Sequence, residues 1–149
     1  MTERRFDASV MVKAVVAEDL SNLAADLIKE TQDEGLSLIA PFLLEPAVTS
    51  TLSKKVKDGI VTVDEAKLAL TIFQSILIDY RHFSILGQRA FELAVKYNWR
   101  FAYDGFYIAL AEHEGCELWT ADEEMVKAVV ADFPFVKWLG DYEPKTAGS

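Results

Sequence analysis

Two aspartates in the last third of the chain have surroundings that suit metal chemistry. Asp104 lies in the segment 103–111 (YDGFYIALA), and Asp122 closes the segment 118–122 (LWTAD). Each precedes an apolar-periodic run typical of a helix, and Asp122 also follows a short predicted strand. Carboxylates that converge at one edge of a parallel sheet favour a hard metal ion, and a hard metal ion favours phosphate chemistry.

Two further acids are predicted at the same edge of the sheet. Asp7 ends the first predicted strand, and Glu45 comes shortly after the apolar run 36–40. Ligands in open parallel sheets bind outside the carboxyl ends of the strands, where these residues fall. The two histidines, His82 and His113, are not spaced as a metal pair, which argues against zinc. An oxygen-only ligand set favours Mg²⁺ or Mn²⁺.

Each acid also has a purely structural interpretation. Asp104 and Asp122 can cap their helices, because aspartate is a favoured N-cap residue. Asp7 can stabilise a turn together with Ser9, and Glu45 can be a solvated residue at a helix N-terminus. These interpretations are separately adequate, but they do not explain why all four acids fall at one edge.

Composition indicates one domain of a globular protein. The 149 residues are 51% apolar and 26% charged, which suits a full hydrophobic core. No apolar run reaches the roughly 18 residues of a membrane span, and an early acid argues against a signal peptide. The single cysteine, Cys116, is expected to be a buried apolar filler, so a reducing cytoplasmic setting is predicted.

The net charge of −9 argues against broad non-specific binding to nucleic acid. It leaves room for a local basic groove, and part of the acidity belongs to the predicted metal site. Five basic residues are candidates to guide a strand: Lys13, Lys54, Lys55, Arg81 and Arg100.

Strands alternating with helices predict a three-layer α/β/α sandwich around a short, mostly parallel sheet. The predicted strands are 4–7, 36–40, 117–119 and 135–138. The predicted helices are 8–17, 21–34, 45 or 46 to 57, 64–80 after a Thr62 capping box, 86–97, 104–115 and 122–131. The domain is predicted to span 1–140, with a polar, flexible tail over 141–149.

The helix predicted over 64–80 is apolar around more than one face. Its apolar residues are Leu68, Leu70, Ile72, Phe73, Ile76, Leu77 and Ile78. Such a helix needs cover beyond its own core, for which a second copy of the chain is one candidate. A fully internal helix is the alternative.

Four sequence blocks together resemble those of PIN-domain ribonucleases, and most of all VapC-like toxins of prokaryotic toxin–antitoxin pairs. The blocks are 6–10 (FDASV), 40–44 (APFLL), 103–107 (YDGFY) and 118–123 (LWTADE). The likeness runs from about residue 5 to residue 139. Its most specific part combines the Tyr-Asp-x-x-Tyr helix start with the Thr-Ala-Asp strand end.

The resemblance implies a PIN-like fold and a metal-dependent ribonuclease. It implies that Asp7, Asp104 and Asp122 hold one or two divalent ions, with Ser9 and Thr120 as supporting hydroxyls. It also implies an RNA substrate, a cognate antitoxin that inhibits the enzyme, and a homodimer.

One position departs from the family pattern. The family places a glutamate six residues past the proline of the second block, where this chain has Ala47. Glu45 lies two residues earlier, and a shift of two on a helix turns a side chain by roughly 200°. Glu45 is therefore a catalytic candidate only if Pro46 starts the helix. Otherwise the site has three acids, or its activity is lost.

Two other functions compete with the nuclease. The departure at Ala47 leaves open a catalytically impaired PIN-like binding module. A phosphoacceptor receiver domain is also α/β with clustered acids, but it needs an adjacent acid pair after the first strand. Only Asp7 is present there, which argues against it.

Overall fold

A five-stranded sheet, parallel throughout, forms the centre of the chain. The computed structural model describes the backbone of residues 3–6, and residues 10, 11, 13, 16 and 20–144 in full. The strands are β1 (Glu3–Phe6), β2 (Ser37–Ala40), β3 (Asp79–Tyr80), β4 (Glu117–Thr120) and β5 (Val136–Trp138). They lie in the order β3-β2-β1-β4-β5. Each neighbouring pair is parallel, so all carboxyl ends share one edge.

Helices connect the strands, as the alternating sequence pattern predicts. They are α1 (Ser21–Asp33), α2 (Leu44–Lys57), α3 (Val63–Ser75), α4 (Ile85–Lys96), α5 (Tyr103–Glu114) and α6 (Glu123–Val129), followed by a 3₁₀ turn (Leu139–Asp141). Each of these six α-helices except α3 ends within two residues of its predicted end. The helix predicted over 8–17, like Asp7 and Ser9, falls largely outside the described residues.

Both faces of the sheet are covered. Leu118, Trp119 and Thr120 of β4 are all buried, although successive strand side chains point to opposite faces. β2 shows the same continuous burial over its last three residues. Such runs are typical of parallel strands between two layers of helices, which confirms the predicted three-layer arrangement.

The N-terminus of α3 is fixed by the predicted capping box. The Glu65 backbone N–H donates to Thr62 Oγ1 at 3.1 Å, and the Thr62 N–H donates to Glu65 Oε1 at 2.9 Å. Two N–H groups that the helix itself leaves without partners are thereby satisfied.

The other end of α3 corrects the prediction of one helix to residue 80. The helix stops at Ser75, because Ile76 takes an extended conformation with φ −76° and ψ 128°. Asp79 and Tyr80 then pair with Ile39 and Ala40 as the edge strand β3. The apolar run continues across the break, so helical periodicity did not mark it.

The exposed side of α3 corrects a second expectation. Leu68 is 62% exposed and Ile72 is 43% exposed on consecutive turns of the helix. The alternative of a fully internal helix is therefore wrong.

Among the helices in the described part of the chain, none has the length and apolarity to cross a membrane.

The packed region extends past residue 140. Tyr142 is buried, and its ring packs edge-on against Trp119 with 5.4 Å between the ring centroids. Its hydroxyl donates to the Glu30 carboxylate. The residues predicted as a tail therefore begin as part of the packed structure. Cys116 is buried, as expected of an apolar filler.

We expect Thr62→Ala to lower the free energy of unfolding by about 1 kcal/mol, since it removes the helix cap. Urea denaturation followed by circular dichroism measures the change. Thr71→Ala is the matched control, because the Thr71 hydroxyl donates to the Lys67 carbonyl within its own helix and does not cap it. Equal stability losses in the two variants would show that the capping box contributes nothing specific.

Candidate functional site

The candidate site lies at the carboxyl edge of the two central strands. Phe6, the last residue of β1, pairs with Trp119 of β4. β4 ends one residue later at Thr120, and Asp122 follows within two residues. Asp7 and Ser9 come directly after β1 in sequence and lie outside the described residues.

Asp122 is the N-cap of α6 and is also exposed at the sheet edge. Its Oδ1 accepts the Met125 backbone N–H at 3.1 Å. Its own N–H donates to Thr120 Oγ1 at 3.1 Å, and Thr120 is fully buried. The capping interpretation is therefore correct for Asp122. The cap also holds the carboxylate in one orientation, and the Thr120 hydroxyl holds its backbone.

Asp104 lies in the first turn of α5 and does not cap it. The N-cap is Ala102, which has no side-chain oxygen to offer. Asp104 is exposed, and its charge is favoured near the positive end of the helix dipole. The capping interpretation is therefore wrong for Asp104.

The course of the chain brings the start of α5 to the same edge. α5 packs against β1 and β4. It leads through a two-residue turn into the amino end of β4, so it runs against the strand direction. Its N-terminus, with Asp104, therefore lies toward the carboxyl ends of β1 and β4.

Gly105 sets how closely that N-terminus approaches α4. A Cβ at position 105 would lie 2.9 Å from both the Cα and the carbonyl oxygen of Ala90. Only glycine permits this contact without a backbone shift. The residue beside Asp104 thus positions it, a role that the Asp-Gly pair did not reveal in the sequence.

Glu45 does not meet the condition on which its catalytic role was predicted. α2 begins at Leu44, so Glu45 and Ala47 are both helical and point in different directions. Glu45 is exposed, whereas Ala47 is half-buried beside the buried Val48. The position at which the family pattern places a glutamate therefore carries only a methyl group.

Tyr80 shows which way Glu45 faces. Burial raises the pKa of the Tyr80 hydroxyl, and the nearby Glu45 carboxylate raises it further. Both residues line one groove beside the edge strand β3. Glu45 therefore lies toward β3, on the far side of β2 from β4.

The predicted basic residues differ in their availability. Arg81 is engaged by Asp79 at 2.7 Å and by Glu114 at 3.1 Å. The Arg100 guanidinium lies 5.4 Å from the centre of the Phe101 ring. Lys54 is exposed and forms no ion pair with any residue that the structure describes. Arg81 is thus the least suited of these to guide an RNA strand.

Within the described ranges, which leave out Asp7, no three His, Cys, Asp or Glu side chains group so as to hold a metal. Asp104 and Asp122 are therefore the two candidate metal ligands that the structure describes.

Comparison with known proteins shows the fold. No family model matches the sequence, and no curated protein matches it significantly. The chain is similar to the crystal structure of PAE2754 from Pyrobaculum aerophilum, with a TM-score of 0.63 and 23% identity. The likeness covers 85% of this chain and 86% of that one. It confirms the predicted PIN-like α/β fold.

Substitutions at Asp122 should distinguish the effect of its capping hydrogen bond on stability from the effect of its negative charge. We expect Asp122→Ala to lower the free energy of unfolding by about 1 kcal/mol, because the Met125 N–H loses its acceptor. Asp122→Asn should stay within a few tenths of a kcal/mol of the parent, since asparagine caps as well as aspartate. Urea denaturation compares the three proteins, and an equally large loss in Asp122→Asn would contradict the cap geometry.

The position of Glu45 can be read from the titration of Tyr80. In Glu45→Gln the nearby negative charge is gone, so the Tyr80 pKa should fall toward its ordinary value while remaining raised by burial. Ultraviolet difference spectra against a Tyr80→Phe variant isolate this tyrosine. An unchanged Tyr80 pKa would show that Glu45 does not face β3.

Proposed function

We propose that the chain is a Mg²⁺- or Mn²⁺-dependent endoribonuclease that hydrolyses RNA phosphodiesters. The observation that supports the proposal is the order of the elements in a PIN-like fold, which brings the start of α5, with Asp104, and the end of β4, followed by Asp122, toward the same edge of the sheet. Asp7 follows β1 in sequence and supplies a third carboxylate in this proposal.

The donor set fits a hard divalent ion. Asp104 and Asp122 are exposed carboxylates, whereas His113 and Cys116 lie at the C-terminal end of α5 and just before β4. Asp122 commits Oδ1 to the helix cap, while its Oδ2 has no hydrogen bond with the described residues. Asp7, Asp104 and Asp122 would hold the ion. When bound, such an ion activates a water and offsets the charge that builds on the phosphate.

The chain's own contribution is to hold its carboxylates in place before the substrate arrives. The cap and Thr120 hold Asp122, and the contact of Gly105 with Ala90 holds the helix turn that carries Asp104. Carboxylates brought together repel each other and repel RNA. Cleavage should therefore depend strictly on a divalent cation.

The resemblance to VapC-like proteins extends the proposal to biological role. In that role the chain is the cytoplasmic toxin of a toxin–antitoxin pair, and a cognate antitoxin inhibits it. The exposed Leu68 and Ile72 of α3, and Phe91 and Val95 of α4, provide apolar surface for an antitoxin or for a second copy of the chain.

A catalytically impaired binding module is the second candidate function. It is favoured by Ala47 and by the orientation of Glu45 toward β3, because neither position 47 nor Glu45 then supplies a fourth carboxylate. Such a protein would bind RNA or a partner without turnover. Calorimetry with millimolar Mn²⁺ separates the two functions, because an absence of binding favours the module.

We expect Asp104→Asn to abolish metal-dependent RNA cleavage while the protein remains folded. The fold should survive because Asp104 is not the cap of α5. Cleavage of a labelled RNA pool in Mn²⁺ measures activity, and urea denaturation checks the fold.

Asp26→Asn is the matched control for that experiment. Asp26 is an exposed aspartate in the second turn of α1. The Asp26→Asn protein should cleave RNA as fast as the unsubstituted protein. Undiminished cleavage by Asp104→Asn would overturn the proposed function.

A further inference from the structure

A shallow groove runs along the outer side of α2. Its first section, of about 640 Å³, lies at the β3 side and is lined by Phe42, Glu45, Pro46, Thr49, Ser50 and Tyr80. Its second section, of about 590 Å³, continues along the helix and is lined by Thr49, Ser50, Ser53, Lys54, Lys57 and Asp58. Thr49 and Ser50 line both sections, so the two sections are adjacent along α2.

We infer that this groove binds a single-stranded segment of RNA next to the scissile phosphate. In this arrangement a base stacks on Phe42, and the strand continues along the hydroxyls of α2 toward Lys54 and Lys57. The inference deepens the proposed function and rests on it, because it assigns a substrate-positioning surface to the same enzyme.

The aromatic end of the groove has the properties of a base-stacking platform. Phe42 is 60% exposed, so much of its ring is open to solvent. Its ring stacks on His82 at 5.6 Å between centroids and 21° between planes. This contact orients the ring. Aromatic platforms of this kind bind single-stranded nucleic acid without strong sequence preference.

The location of Phe42 also suits a substrate contact. Phe42 follows the carboxyl end of β2, at the same edge of the sheet as Asp122 after β4. β2 and β4 are separated only by β1, which places their ends roughly 10 Å apart. One RNA strand can therefore reach both Phe42 and the carboxylates.

The far end of the groove carries a net positive charge, since two lysines, Lys54 and Lys57, line it with one acid, Asp58. Lys54 and Lys57 are exposed and have no ion pair with any described residue. By contrast, Lys29, Lys96 and Lys127 each pair with an acid at 3.0 to 3.2 Å. The C-terminal end of the α2 dipole favours the two groove lysines. In a chain of net charge −9, this local surplus is suited to phosphate groups.

The charge of Glu45 indicates which end of the groove suits bases and which end suits phosphates. Its negative charge opposes a phosphate at the Phe42 end, whereas its oxygens can accept hydrogen bonds from base amino groups. The Thr49 hydroxyl donates to the Glu45 carbonyl at 2.8 Å, so its oxygen keeps lone pairs with which it can accept a hydrogen bond. Bases therefore fit at the Phe42 end and phosphates at the lysine end.

The polar lining favours RNA over a protein partner. Three hydroxyl-bearing residues precede two lysines along α2, and Phe42 and Pro46 are the exposed apolar residues among those that line the groove. The surface formed by Leu68 and Ile72 on α3 has the opposite, apolar character that protein partners cover.

The test measures RNA binding by the Asp104→Asn protein in EDTA, with fluorescence anisotropy of a short labelled single-stranded RNA. Adding Phe42→Ala should weaken binding roughly tenfold, as loss of one base stack implies. Lys54→Gln with Lys57→Gln should weaken binding and reduce the slope of log Kd against log salt by about 1.4, the value for two phosphate contacts. Glu45→Gln should retain or tighten binding.

Matched controls come from exposed residues outside the groove. Phe91→Ala removes a phenylalanine of similar exposure from α4, and Lys29→Gln with Lys67→Gln removes two exposed lysines. These controls should bind RNA like the Asp104→Asn parent. Urea denaturation confirms that every variant is folded.

The outcomes separate this inference from the proposed function. If groove and control variants bind RNA equally, or if the Asp104→Asn parent binds none, the inference is wrong. It is also wrong if the groove variants change only self-association in light scattering, because the groove then docks protein. If the groove variants behave as expected but the unsubstituted chain cleaves no RNA, the proposed nuclease fails and the RNA-binding groove stands.

Discussion

The parallel pairing of β1 with β4 is the constraint on which the rest of the structure depends. It places the ends of two strands that are distant in sequence side by side at the centre of the sheet. Burial on both faces stabilises this central pairing, because β4 would expose its apolar side chains if it left the middle of the sheet. The convergence of acids at the sheet edge follows from this pairing.

The site residues are held by ordinary structural interactions. The Asp122 carboxylate caps α6 with one oxygen and leaves the other unbonded among the described residues. A structural and a chemical role are thus compatible in one residue. Asp104 depends instead on the close approach of α5 to α4 at Gly105, so a mutation at that glycine would affect the site through its scaffold.

Much of the fold was predictable because its signals are local. The capping box at Thr62 and the continuous apolar run of β2 each depend on a few adjacent residues, and the structure shows both. β3 was not predictable in this way. It has two residues, and it forms because β2 offers an open edge, which is a tertiary effect that helical periodicity does not report.

The candidate site was predictable in part for the same reason. The sequence placed Asp104 and Asp122 near the strand edge, and their surroundings follow the chain order. It did not reveal the closeness of α4 and α5 at Gly105, or the groove between Phe42 and Lys57, because both join surfaces that meet only after folding. The start of α2 at Leu44, which decides the direction of Glu45, depended on one residue at a helix boundary.

A crystal of the protein soaked in Mn²⁺ tests the central claim most directly, because the anomalous signal locates the ion without reference to activity. The account predicts a peak at the carboxyl edge of β1 and β4, about 2.2 Å from carboxylate oxygens of both Asp104 and Asp122. A fully occupied peak elsewhere, or none at this edge when Mn²⁺ is saturating, would contradict the claim that these aspartates form a metal site.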